Sequence, residues 1–114
     1  MLTIDSLRRL GADTEQGLGR CMNNEAFYLR LVNMALDDAS FEKLSAAAER
    51  GDMDAAFEAA HALKGVLGNL ALTPLYEASS ELTELLRAKT GADCSALLDR
   101  LMKLRAELIA ERDS

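Results

Sequence analysis

Apolar residues recur along the chain with the three-and-four spacing of a single helix face. Ile4, Leu7 and Leu10 begin the pattern, and Gly11 stops it. Thr14 is placed to cap a short segment through Cys21, although Gly17 and Gly19 make it a poor helix by itself. Asn23 or Asn24 suits the cap of the next helix. From Glu25 the stripe is Phe27, Leu31, Met34 and Ala35. Asp37-Asp38-Ala39-Ser40 interrupts it, and Phe41, Leu44 and Ala48 resume it. That pattern is one kinked helix or two in series. Gly51 fits just past a helix end, and Asp52 fits the cap of the helix that follows.

A longer helix is predicted from about Met53 to about Leu72, with Ala56, Ala60, Leu63, Leu67 and Leu70 as its buried seam. Thr73 as cap and Pro74 at the first helical position punctuate the chain next. Leu75, Ala78, Leu82 and Leu85 make a further stripe that ends near Thr90-Gly91. Asp93 then caps a last helix carrying Leu97, Leu101, Leu104 and Leu108. Short connections make successive helices antiparallel neighbours. The predicted architecture is all-α, an up-down four-helix bundle over residues 23–112. An arm over residues 1–22, with one or two short helices, packs at one end and gains its order from that packing. Residues 1–114 form one domain.

Composition agrees with that fold and narrows the function. Alanine and leucine dominate, there is one proline and there is no tryptophan, which favours helix over sheet. The net charge is −6 and no basic block occurs, so a nucleic-acid surface is not indicated. Apolar runs fall far short of the ~20 residues of a membrane span, and the start Met1-Leu2-Thr3-Ile4-Asp5 lacks the features of a signal peptide. The expectation is a cytoplasmic monomer that binds no membrane. Met1 and the polar tail Glu111-Arg112-Asp113-Ser114 lean towards a free-standing protein. Cys21 and Cys94 have no CxxC spacing and read as reduced, structural thiols. One histidine and two distant cysteines are a weak ligand set, so neither metal nor cofactor is expected.

The candidate chemistry lies on the seam helix, which holds the only histidine, His61. At roughly 100° per residue, Leu63, Leu67 and Leu70 point roughly 120° to 180° away from His61, into a core. Phe57, Lys64, Gly65 and Gly68 fall within roughly 60° of it, and Asn69 about 80° away. Each interior glycine costs a helix about 1 kcal/mol relative to alanine. A chain that uses Ala46-Ala47-Ala48 elsewhere does not lack helix formers. The glycines clear side chains from around the imidazole, which is what a second protein needs to reach it.

The run His61-Ala62-Leu63-Lys64-Gly65-Val66-Leu67-Gly68-Asn69-Leu70 resembles the signature of the histidine-containing phosphotransfer (HPt) domains of bacterial multistep phosphorelays. There the pattern is His-x-Leu-Lys-Gly, a few small residues, then Gly-Asn and an apolar residue. Arg50-Gly51-Asp52-Met53-Asp54 resembles the turn before that family's histidine helix. The stretch from Gly17-Leu18-Gly19-Arg20 to Leu31 resembles its N-terminal region. Val66 stands where serine is common, and Ala71 where glycine is often found.

The resemblance implies a phosphocarrier rather than an enzyme. His61 would accept a phosphoryl group from an aspartate of a response-regulator receiver domain and pass it to another receiver, within a relay fed by a sensor or hybrid histidine kinase. The receiver would supply the aspartate and the metal. An ordinary exposed imidazole, with a pKa of about 6.5, is largely neutral and nucleophilic near pH 7. Lys64, one turn on, would offset part of the roughly −2 charge of the phosphoryl group. Phe57, Gly65, Gly68 and Asn69 would form the docking surface, with Asn69 equally suited to capping backbone near the helix end. Glu58 is within one turn of His61 and could fix its tautomer, although a plain exposed glutamate is the simpler reading. The competing function is a non-catalytic four-helix interaction module that binds a signalling partner. A metal or cofactor bundle is a third class, and it needs inward-facing His or Glu pairs.

Overall fold

The computed structural model describes residues 1–114 and is all-helical. Its elements are α1 (Ile4–Arg9), α2 (Thr14–Arg20), α3 (Glu25–Leu36), α4 (Ser40–Glu49), α5 (Met53–Asn69), α6 (Thr73–Arg87) and α7 (Ser95–Arg112). α4 packs on α5, α5 on α6 and α6 on α7, while α3 closes against α7. The bundle is elongated, 42 × 26 × 20 Å. No helix is long and apolar enough to cross a membrane.

The interrupted stripe resolves into two helices in series. Asp37 ends α3, and Asp38 accepts the Ser40 N–H at 2.8 Å as α4 begins. Arg105 of α7 secures the break: its Nε donates to the Leu36 carbonyl at 2.8 Å, and its guanidinium lies 4.4 Å from the Phe41 ring centroid. The seam of α5 is buried throughout, with Ala56, Ala60, Leu63 and Leu67 fully enclosed and Leu70 nearly so. Truncating Leu63 or Leu67 to alanine would cost about 2–5 kcal/mol in lost transfer and residual cavity. Gly51 takes φ +76° just past α4, and Asp52 caps α5 by accepting the Ala55 N–H at 3.1 Å.

Several boundaries differ from the sequence reading. α5 ends at Asn69 rather than Leu72, because Ala71 turns the chain with φ +56°. Thr73 does not cap α6; it is the first helical residue, and its hydroxyl donates to the Ala71 carbonyl at 3.3 Å. Asp13, not Thr14, caps α2, accepting the Gln16 N–H at 3.2 Å, and Thr14 is buried inside the helix. Asp93 accepts the Ser95 N–H at 2.9 Å from one residue further out than a regular cap. On α3 the buried face is Tyr28, Val32, Ala35 and Leu36; of the expected stripe, Phe27 and Leu31 are only half-buried and Met34 is 63% exposed. On α4 it is Ala47, not Ala48, that is fully buried.

The arm, α1 and α2, lies across the end where α5 stops, α6 starts and α7 stops. Arg9 pairs with Glu111 at 2.9 Å, and the Asp13 N–H donates to the Ala71 carbonyl at 2.9 Å. α3 is tied to the same end. The Tyr28 hydroxyl donates to the Leu70 carbonyl at 2.8 Å, and the Tyr28 ring occupies the space where a Cβ on Gly17 would sit.

Candidate functional site

His61 is exposed near the middle of α5 and takes part in no hydrogen bond or ion pair. Beside it runs an open groove of about 880 Å³. One face of α5 supplies its floor: His61, Lys64, Gly65, Gly68 and Asn69. Asp13, Gln16 and Arg20 wall it from the arm, and Thr73 and Tyr76 wall it from α6. Burial of the leucine seam on the opposite side of α5 fixes which face this is.

Lys64 is half-buried, lines the groove with His61 and enters no ion pair, so its ammonium is uncommitted. A Cβ on Gly65 would meet nothing within 4 Å, which makes the floor open there. Gly68 differs. A Cβ on it would come within 2.8 Å of Tyr76 Cδ1 and 2.9 Å of Cε1, so the second glycine makes room for a ring of the same chain. No local pattern signals that contact, since Tyr76 lies on the next helix.

The exposed Asn69 side chain makes no hydrogen bond; its backbone carbonyl does. Arg20 Nη1 donates to the Gly68 carbonyl at 2.6 Å and to the Asn69 carbonyl at 3.0 Å. A cation is thereby set at the negative end of α5, where the last carbonyls lack helical partners. Arg20, Gln16, Asp13 and Tyr76 escaped sequence reasoning because only the tertiary fold brings them beside His61.

Phe57 stands outside the groove, one turn before His61. Its ring stacks on the imidazole with centroids 5.8 Å apart and planes 14° from parallel. The Arg87 guanidinium of α6 lies 5.1 Å from the Phe57 centroid. Glu58 is not a partner of His61; it is exposed and lines a separate groove between α4 and α5 with Lys43 and Arg50. No group of three or more His, Cys, Asp or Glu residues is gathered as a metal site.

An exposed imidazole on a rigid helix, a free ammonium one turn away and an open floor suit the capture and release of an anionic group delivered by another molecule. A family model, Hpt domain, matches residues 30–113, which include α4 to α7 and α3 from Arg30 onward. No curated protein and no solved structure matches the chain. With the match spanning most of its length, the chain belongs to the Hpt domain family, whose members carry phosphoryl groups in phosphorelays and work with receiver domains and kinases.

Proposed function

We propose that His61 is the phosphoacceptor. The unprotonated ring nitrogen attacks the phosphorus of a receiver's aspartyl phosphate. The N–P bond forms, the P–O bond to the aspartate breaks, and the carboxylate leaves with the bonding pair. The same steps in reverse deliver the phosphoryl group to the aspartate of a second receiver. The partner supplies the aspartate and the metal that neutralises charge at phosphorus. This chain supplies a held nucleophile, and Lys64 supplies a cation for the charge that arrives with the phosphoryl group.

The observation that carries this reading is the shared groove: the sole histidine, exposed, beside an unpaired lysine and above the bare backbone of Gly65. Gly65, Gly68 and Asn69 form the surface on which the receiver docks. The protein acts as a monomer in the cytoplasm, where receivers and their kinases reside.

The test is His61→Gln, which replaces an exposed side chain outside the core and keeps the fold. Circular dichroism should match the wild type, and transfer from a phosphorylated receiver should vanish. A variant that still takes acid-labile label would place the phosphoryl group elsewhere.

A further inference from the structure

His61 has no hydrogen bond to hold its ring, yet a nucleophile that serves a docked donor needs a fixed direction. The structure offers one restraint, the stack on Phe57. We propose that Phe57 is a positioning residue for the phosphoacceptor, holding the His61 imidazole in one orientation, and that Arg87 steadies Phe57 in turn. The inference rests on the reading of His61 as phosphoacceptor.

The geometry follows from helix direction. Side chains on a helix lean towards its N-terminus, so His61 comes to lie over the turn that carries Phe57, four residues earlier. Centroids 5.8 Å apart with planes 14° from parallel make an offset stack, an arrangement aromatic pairs favour. Contact through the ring face leaves the ring edge free, and both imidazole nitrogens present their lone pair or hydrogen along that edge.

Phe57 is itself restrained. It is half-buried, and the Arg87 guanidinium from the neighbouring helix lies 5.1 Å from its centroid. Arg87 Nε reaches Glu84 Oε2 at 3.3 Å, one turn back on α6. Glu84, Arg87, Phe57 and His61 thus form a column that ties the imidazole to two helices. Without the stack, an exposed helical histidine has about two open χ1 wells and two ring orientations in each. Only one of these aims a given nitrogen at a phosphorus held by a docked protein. Losing the restraint should therefore slow receiver transfer roughly two- to fourfold. A small donor that diffuses in from any side should feel little of it.

The experiment compares the full-length wild type with Phe57→Leu and Phe57→Tyr. Labelling uses phosphoramidate and, separately, a purified receiver phosphorylated with acetyl phosphate, chosen from a panel as the fastest donor to the wild type. NMR of the His61 ring protons reads the stack directly. The expected results are ring-to-ring contacts between Phe57 and His61 in the wild type and averaged His61 ring signals in Phe57→Leu. That variant should show a two- to fourfold lower kcat from the receiver with KM unchanged, and unaltered labelling by phosphoramidate. Phe57→Tyr should restore both signals and kcat. A wild-type spectrum without those contacts, which needs no variant to fold, overturns the proposal. So does a rise in KM alone, which would make Phe57 a direct docking contact, or a tyrosine variant that behaves like leucine. A wild type that takes label from neither donor overturns the phosphoacceptor reading first and this one with it.

Discussion

The Tyr76 ring of α6 fills the space beside the Gly68 Cα, with Cδ1 standing 2.8 Å from where a Cβ would be. Gly65, three residues earlier on the same face, has nothing in that position within 4 Å. Two glycines that look equivalent on a helical wheel therefore have different reasons.

That difference sets the first prediction. Gly65→Ala should raise stability by up to about 1 kcal/mol, since alanine is the better helix former and meets no obstacle. Gly68→Ala should show no such gain, because its methyl must displace a ring that is only 37% exposed. Combining Gly68→Ala with Tyr76→Ala should recover the gain. Urea denaturation of the wild type, Gly68→Ala, Tyr76→Ala and the double variant closes the cycle, the gain being read against Tyr76→Ala, with Gly65→Ala measured beside them. Equal gains at both glycines would remove Tyr76 as the reason for Gly68. Receiver transfer should fall in Gly65→Gln, where a long side chain would stand on the open floor.

Lys64→Ala should slow phosphoryl transfer or shift its equilibrium while leaving stability nearly unchanged. A single surface-side charge beside a phosphoryl group contributes on the order of 1 kcal/mol, so the effect should be up to about fivefold and should shrink as salt is added. Forward and reverse transfer rates at low salt provide the measurement. Rates equal to the wild type would leave Lys64 as a solvated lysine.

Tyr28 links stability to high pH. Burial, then the nearby Cys21 and Asp13, push its phenol up to about 12. The unfolded chain loses that proton near the ordinary value of about 10, so the folded state holds more protons in between. Stability from this group is complete below pH 10 and declines as pH rises from about 10 to about 12. Tyr28→Phe should abolish that part of the slope. At neutral pH it should cost about 1–2 kcal/mol, because the Leu70 carbonyl loses its donor. Denaturation midpoints at pH 9 and pH 11 for both proteins would check this; parallel slopes would contradict it.

Arg20→Gln removes the charge that sits on the Gly68 and Asn69 carbonyls. Because Arg20 is exposed and water can take its place, the loss should be modest, about 0.5–1 kcal/mol. Hydrogen exchange should locate it at the last turn of α5. Unchanged protection there would mean the contact adds nothing in solution.

The seam of α5 was legible in the sequence because burial imposes a period, and Ala56, Ala60, Leu63, Leu67 and Leu70 keep it. The outward set around His61 was legible for the same reason, being what the seam leaves over. Helix ends were read less well. Thr73 and Thr14 have good capping side chains, yet Leu72 and Asp13 take those places, because the chain enters each helix from a turn that the arm and Ala71 shape together. Met34 kept the period of α3 and still faces outward, because the buried face of that helix lies one residue on, at Tyr28, Val32 and Leu36. The groove walls could not be read at all, since no local pattern ties Arg20 or Tyr76 to a histidine on another helix.

The family match begins at residue 30, whereas Asp13, Gln16 and Arg20 precede it and still border the His61 groove. The imidazole and part of its surroundings therefore come from two stretches of chain, one inside the match and one before it. If the receiver of the proposed relay seats over this groove, substitutions in the arm would change partner choice with α5 left as it is. Crosstalk between parallel relays could then be suppressed by editing a few arm residues, leaving the chemistry insulated from the change.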